Sequence, residues 1–411
     1  SARDVGMALA ATDEAAGQAD VNASDGCGLG DGTAEDNHSR LTNRPVVTQT
    51  SGAKQEEGDE ALVEVERSTR GEWNGRGSLY LSKEVGEDTS DATLLLPSSV
   101  VGTFSCHGID REEAKINQDC ACVAHPLARD PNAALFIVLD GHGKDGDVVS
   151  GELLRSLHSN IDRHAWSDRQ SEEELSAQMI GAFEEAHEGL KLFKVQEDGT
   201  TPGDQSGAAG VAIVIASGYV MTGYCGDCRA IMGRTGADGE LETVELSHDH
   251  KLTHPMEEDR IIATGAYIRP EQQEPYFEPA RVYADKDNPR KGPGLTLARS
   301  LGDFDADPYG IVPTPDVGFH RIVHGTDRFI VMASDGLWEF LTNEEICQIV
   351  SNFQTRGESA EKAARFIIAK AAVAWRLEEG DYRDDVTAIV IYITPELTIL
   401  NSSGGDGTPA T

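Results

Sequence analysis

Apolar and polar positions fall into two regimes along the chain. Between residues 100 and 394, short apolar runs bounded by Gly, Asp and Ser alternate with longer stretches of helical spacing. "ALFIVLD" (Ala134 to Asp140) predicts a buried strand. "GAAGVAIVIAS" (Gly207 to Ser217) and "GYVMTGYC" (Gly218 to Cys225) predict two adjacent strands joined at Ser217-Gly218. "RFIVMASD" (Arg328 to Asp335) and "DVTAIVIYI" (Asp385 to Ile393) predict two more. "SEEELSAQMIGAFEEAHEGLKLF" opens on Ser171 and an acidic turn. It then places Leu175, Met179, Ile180 and Phe183 on one helical face. "NEEICQIVSNF" and "SAEKAARFIIAKAAVAWRLEEG" predict further helices, the second stopping near Arg376 and Gly380. Hairpin-linked strands and paired helices argue for antiparallel sheet with helices packed outside, an α+β architecture.

Outside that region the pattern fades. Residues 1–60 contain no aromatic residue and no sustained period, and are rich in Gly, Ala, Ser, Thr, Asp and Glu. Such a segment buries too little apolar surface to offset ordering entropy, so it is expected to be disordered. Residues 61–99 are mixed and are expected to add a peripheral strand or arm. Residues 395–411, ending "NSSGGDGTPAT", read as a flexible tail. The expected folded domain is 100–394.

Charge narrows the function classes. The 411 residues carry 35 basic and 71 acidic side chains, a formal net charge of −36. Residues 1–93 contain 19 acidic and 8 basic residues, so most of the excess lies in the remainder. Phosphate backbones need clustered Lys and Arg, so nucleic acid is not an expected partner. An anionic membrane surface is disfavoured for the same reason. No run reaches the length of about 18 apolar residues that membrane insertion requires. The opening "SARDVGMALAATDEAAG" has no basic start followed by an apolar core, so no signal peptide is expected. Seven irregularly spaced cysteines suit reduced thiols in the cytoplasm or nucleus better than a disulfide framework. No oligomer signal stands out, and a monomer is expected.

Candidate chemistry sits at the strand ends. Asp140 follows "LFIVL" and precedes Gly-His-Gly. Asp335 follows "FIVMAS", and Asp384 precedes "DVTAIVIYI". Asp227 follows "YVMTGYCG", and Asp119 precedes "CACVAH". Any one of these is more ordinarily a turn or cap residue. Five carboxylates beside buried strands would repel one another and take up protons unless cations relieved them. All-oxygen ligation by Asp suits hard ions such as Mg²⁺ or Mn²⁺.

With these residues in view, the chain resembles the metal-dependent serine/threonine protein phosphatases of type 2C. The matching segments, in the family's order, are "INQD" (Ile116 to Asp119), "FIVLDGHG" (Phe136 to Gly143), "SGAAGVAIVI" (Ser206 to Ile215), "YCGDCRAIM" (Tyr224 to Met232), "LSHDHKL" (Leu246 to Leu252), "EEDRIIATGAYI" (Glu257 to Ile268), "LTLARSLGDFD" (Leu295 to Asp305), "FIVMASDGLWEFLTNEEI" (Phe329 to Ile346) and "RDDVTAIVIYI" (Arg383 to Ile393). The resemblance implies a four-layer α-β-β-α sandwich of two antiparallel sheets flanked by helix pairs, with the site at one edge. It implies two Mg²⁺ or Mn²⁺ ions, and a third, weaker one. Asp140 would bridge two ions, with the Gly141 carbonyl on one of them. Asp335 and Asp384 would hold the first ion and Asp119 the second. Asp227 would join Asp335 at the third. His142 would be the general acid for the leaving oxygen, a role suited to a group titrating near neutral pH. The implied reaction is in-line attack on phosphorus by a water or hydroxide bridging two ions, with phosphorylated proteins as partners.

Two positions depart from the family pattern. Gln118 stands where an acidic residue is usual and offers only a neutral oxygen. Ala114 stands where a phosphate-binding Arg is usual, which leaves Lys115 or Arg111 as the candidate cation. Those departures keep a pseudophosphatase, a binding or scaffold module, as the alternative. A hydrolase of small phosphoesters is a weaker one.

Other motifs carry less. Cys225-x-x-Cys228 lacks a second such pair and reads as a packed structural thiol pair. Cys120 and Cys122 alternate on one strand face. His248, His250 and His254 have zinc-like spacing, but "ELSHDHKLTHPMEEDR" reads as a loop entering a helix capped by Thr253 or His254, with Pro255 first. The Pro-rich stretch 269–293 is expected to form a flap beside the site and select substrates.

Overall fold

The computed structural model describes residues 44–45, 78–81, 96–111, 113–273, 278–287 and 291–394. The expectations for 1–60 and 395–411 therefore lie outside the described residues, apart from the pair 44–45. Two antiparallel sheets organise the rest. The first runs, in spatial order, Arg44–Pro45, Val101–Cys106, Val386–Tyr392, Asp327–Ala333, Arg229–Thr235 and Leu241–Glu245. The second runs Asp316–Arg321, Tyr219–Cys225, Ser206–Ala216, Ala134–Gly143, Cys120–Ala124 and Ser78–Leu81, with Leu301–Gly302 paired onto one end of Ser206–Ala216. Within the stretch expected to be a peripheral arm, Ser78–Leu81 thus adds an outer strand against Cys120–Ala124.

Period-two alternation splits each strand between two apolar environments. Phe136 and Val138 face inward, against Met232, Ile330, Met332, Ile389 and Ile391 of the other sheet. Leu135, Ile137 and Leu139 face the opposite way, onto helices Gly146–Asp162 and Glu172–Leu190. On the first sheet, Phe329, Val331 and Val390 likewise turn outward. They pack on helices Asn343–Thr355 and Ala360–Glu378. Each fully buried aliphatic or aromatic side chain contributes about 1.5–3 kcal/mol, so the continuous strands dominate the stability of the fold.

Local signals explain the element ends. Ser171 caps its helix through a reciprocal box with Glu174, and Thr342 does the same with Glu345. Helix Pro255–Ala263 follows His254, which caps it without a side-chain hydrogen bond. Ser217 and Gly218 both adopt positive φ, at 51° and 76°, as a tight two-residue hairpin requires. At Gly102 the strand passes so close to the start of helix Ala360–Glu378 that a Cβ would lie 2.2 Å from the Ala360 carbonyl carbon.

Helix Gly146–Asp162, the single turn Asp335–Trp338 and several strands were not anticipated. Helix Gly146–Asp162 opens without a side-chain cap and carries Ser150 and Gly151 in its second turn, which mask its signal. Val149, Leu153, Leu154, Leu157 and Ile161 nevertheless form its buried face. Strand Asp316–Arg321 is only half-buried and reads "DVGFHR", with few apolar residues. Among the described residues, no helix is long and apolar enough to cross a membrane.

Candidate active site

The strand Ala134–Gly143 is fully buried through Leu139 and emerges at Asp140. Gly141 lies against two backbone segments, where a Cβ would be 2.5 Å from the Gly146 carbonyl oxygen and 2.6 Å from that of Gln118. Only glycine lets the chain pass there, and it holds Asp140 and His142 at the mouth of a cleft of about 1080 Å³. Asp227, Asp335, Asp384 and Lys115 line the same cleft. Asp119 lies beneath it, 2% exposed, with Oδ2 accepting a hydrogen bond from Ser334 Oγ at 2.7 Å. The structure thus brings four of the strand-end aspartates that the sequence singled out to one cleft, with the fifth, Asp119, buried close enough for its charge to act on Asp140.

Their electrostatics are unfavourable. Burial, then the charges of Asp335, Asp119, Asp384 and Asp227, push Asp140 well above the usual carboxylate range. Burial and the charge of Asp385 do the same to Asp119, against hydrogen bonds from Ser334 and Thr387. Asp335 is pushed up to about 7 by burial and by Asp227 and Asp384. Oδ1 of Asp119 and Oδ1 of Asp335 are buried without a hydrogen-bond partner.

Two lysines answer part of this charge. Lys115 Nζ lies 2.7 Å from Asp384 Oδ1, and Lys251 Nζ lies 2.6 Å from Asp227 Oδ2. Burial works against both ammonium charges, but the facing carboxylates outweigh it and raise both. With Asp384 and Asp227 turned to these lysines, no three His, Cys, Asp or Glu groups among the described residues form a ready-made ion cage. The donor chemistry still fits hard divalent ions, because the oxygens are carboxylate and two of them are buried and unpartnered.

His142 is half-buried, with Nε2 2.6 Å from Asp303 Oδ2. Burial lowers its pKa, but the Asp303 carboxylate more than offsets this and raises it overall. Gln118 lines the cleft and donates from Nε2 to the Gly143 carbonyl at 2.9 Å.

Several sequence expectations land elsewhere. Arg111 does not join the cleft lining: its side chain is 87% exposed, 3.9 Å from Asp110, on a residue with φ 51°. Of the two candidate cations, only Lys115 is therefore in place. Cys225 and Cys228 are buried free thiols, but they are not a pair. Cys225 packs under the helices and Cys228 packs between the sheets. Cys120 and Cys122 do share one face, and burial pushes the Cys120 thiol up to about 12. The three histidines do not converge: His248 meets Glu245, His250 meets Asp316 and stacks on Tyr224, and His254 precedes helix Pro255–Ala263. The stretch 269–293 does border the cleft, through Arg281, Gly292 and Pro293.

Three contributors went unassigned in the sequence. Asp385 accepts from the Gly108 and Gln118 backbone N–H groups and so ties the "INQD" segment to the last strand. Lys251 was visible only as part of "LSHDHKL". Asp303 was visible only as part of "LTLARSLGDFD". No local signal separates Asp384 from Asp385, since both precede the same strand.

Comparison with known proteins agrees with this geometry. The family model described as Protein phosphatase 2C matches residues 105–375. The chain belongs to the protein phosphatase 2C family. A probable protein phosphatase 2C from Arabidopsis thaliana, numbered 34, is 30% identical over 292 residues, 69% of this chain and 78% of that protein. Another from the same plant, numbered 61, is 31% identical over 260 residues, 63% of this chain and 75% of that protein. The crystal structure of a serine-threonine phosphatase 2C from Toxoplasma gondii superposes with a TM-score of 0.58 at 21% identity. That match covers 72% of this chain and 94% of that one. At that identity it speaks for the fold alone, and the phosphatase 2C fold is the one described above.

Proposed function

We propose that this phosphatase 2C chain hydrolyses phosphoserine and phosphothreonine in proteins, in a reaction that requires two Mg²⁺ or Mn²⁺ ions. One observation carries the reading: carboxylates from four separate strand ends line one cleft, the charge of buried Asp119 acts on Asp140 among them, and one oxygen each of Asp119 and Asp335 is buried without a partner. Asp140 would be shared between the ions. Asp335 and Asp384 would hold one, and Asp119 with the Gly141 carbonyl the other. Asp227 and Asp335 would offer a third, weaker place. Bound there, such ions lower the pKa of water and offset charge on phosphoryl oxygens.

The chain's own residues supply the rest. Lys115, at the cleft wall between Asp384 and Tyr382, offers its ammonium to the phosphoryl group. His142 holds a proton for the leaving Ser or Thr oxygen, which would otherwise depart as a strong base. The cysteines of the core have no part in the chemistry, because burial keeps them as thiols. The cleft has room for a phosphorylated side chain with its flanking residues, and the segment around Arg281 would touch those residues. The free cysteines support a reducing location, cytoplasm or nucleus, and the same reading takes the chain as a monomer.

The experiment is phosphate release from a phosphothreonine peptide, compared with a small aryl phosphate, in EDTA and in Mn²⁺. Release from the peptide in Mn²⁺ alone is the expected result. Binding of the peptide without release would favour a pseudophosphatase. Release from the aryl phosphate only would point to a small-ester hydrolase.

A further inference from the structure

We propose that Asp303 is the residue that positions His142 to protonate the leaving oxygen, a role that rests on the phosphatase reading above. His142 Nε2 lies 2.6 Å from Asp303 Oδ2, and Ser300 Oγ donates to the same oxygen at 2.7 Å. The Asp303 backbone is in the left-handed region, φ 51° and ψ 45°, a conformation that Asp and Asn adopt more readily than most residues. Its N–H donates to the Ser206 carbonyl at 3.0 Å, beside the pairing of Leu301–Gly302 with Gly207 and Ala208. A Cβ on Gly207 would lie 2.2 Å from Asp303 Oδ2, so glycine there is what leaves room for the carboxylate. A left-handed turn, a glycine and a serine hydroxyl thus converge to fix one carboxylate on one imidazole nitrogen. Asp303 is 5% exposed and is not among the five aspartates assigned to the ions.

The chemistry follows from that contact. With Nε2–H committed to Asp303, the proton that His142 hands on is the one at Nδ1. As water's oxygen bonds to phosphorus, the bond from phosphorus to the Ser or Thr oxygen breaks and its electron pair stays on that oxygen. The oxygen takes the Nδ1 proton, giving a free hydroxyl and inorganic phosphate. The imidazole is left neutral and regains a proton from solvent. Asp303 keeps the ring in one orientation throughout.

The test separates substrates by their need for a proton. A phosphothreonine peptide releases an alkoxide that needs one; 4-nitrophenyl phosphate releases a phenolate that does not. Turnover of both is measured in Mn²⁺ for wild type, His142→Ala, Asp303→Asn, Gly207→Ala and the His142→Ala/Asp303→Asn double variant. Melting temperatures and the Mn²⁺ dependence are recorded for each. Asn tolerates left-handed backbone, so Asp303→Asn is compatible with the turn. Gly207→Ala displaces the carboxylate without removing it. Both are expected to lose at least about tenfold more on the peptide than on the aryl ester, within the range of general acid catalysis. The double variant is expected to lose no more than His142→Ala. Equal losses on both substrates, or a loss accounted for by a raised Mn²⁺ requirement, would overturn the positioning role. If His142→Ala itself shows no preference between the esters, the general-acid reading falls and the positioning role with it. If His142→Ala shows the preference and Asp303→Asn does not, only the positioning role falls.

Discussion

Replacing Asp335 by Asn tests whether the metal-free site is strained by its own charge. Burial and the neighbouring carboxylates of Asp227 and Asp384 push the Asp335 pKa up from 3.8 to about 7. A carboxylate whose folded pKa exceeds its unfolded value holds its proton better in the folded chain. Stability is therefore full below about pH 4, declines as pH rises toward about 7, and is level above that. Each tenfold gain in proton affinity corresponds to about 1.4 kcal/mol, so the strain at pH 8 is on the order of 4 kcal/mol. Asp140, Asp119 and Asp385 share this mutual repulsion, so one substitution recovers only part of it. That is a rise of several degrees in melting temperature for a domain of this size. Thermal melts in EDTA between pH 4 and pH 8 measure it. Asp335→Asn is expected to melt above wild type at pH 8 and to converge with it at pH 4. In Mn²⁺ the order is expected to reverse, because wild type gains ion-binding energy that the variant lacks. A variant that melts below wild type in EDTA at pH 8, or a difference independent of pH, would refute the reasoning.

Other outcomes follow from the same contacts. His187 is buried, accepts from the Gly302 N–H at Nδ1, and has its pKa lowered to about 4 by burial. Its contribution to stability is complete above about pH 6.5 and is lost as pH falls toward 4. His187→Asn is expected to flatten that decline by up to about 1.4 kcal/mol per pH unit in denaturant titrations; an unaltered slope contradicts this. Lys115→Ala is expected to raise the KM for a phosphopeptide about tenfold, the size of one charge-assisted hydrogen bond. Steady-state kinetics with an unchanged KM would remove Lys115 from phosphate binding. Gly102→Ala forces a Cβ into the start of helix Ala360–Glu378 and is expected to cost about 1–3 kcal/mol in chemical denaturation.

The strands were legible because burial on both faces demands continuous apolar runs, and "ALFIVLD" or "DVTAIVIYI" admits few other readings. The helix at Glu172 was legible because its capping box is written locally, in Ser171 and Glu174. The helix at Gly146 was not, because tertiary packing of Val149, Leu153 and Leu157 supplies what its uncapped start lacks. The aspartates of the site were legible by the same logic as the strands that end in them. Their counter-charges were not. Lys251 reaches Asp227 across 24 residues of sequence, and Asp303 reaches His142 across 161, so no spacing rule connects either pair. Arg111 and Lys115 are four residues apart and chemically alike. Only the turn at Arg111, with its positive φ, sends one outward while the other meets Asp384.

The central claim is that the converging aspartates hold the ions on which phosphate release depends. Its most direct measurement is turnover of a phosphothreonine peptide by the EDTA-stripped chain as Mn²⁺ is restored, for wild type and for Asp140→Ala. Wild type is expected to rise from no release to saturation. Folded Asp140→Ala is expected to stay several orders of magnitude lower at every Mn²⁺ concentration. Release by the stripped chain without added ion, or wild-type turnover by Asp140→Ala, would contradict the account.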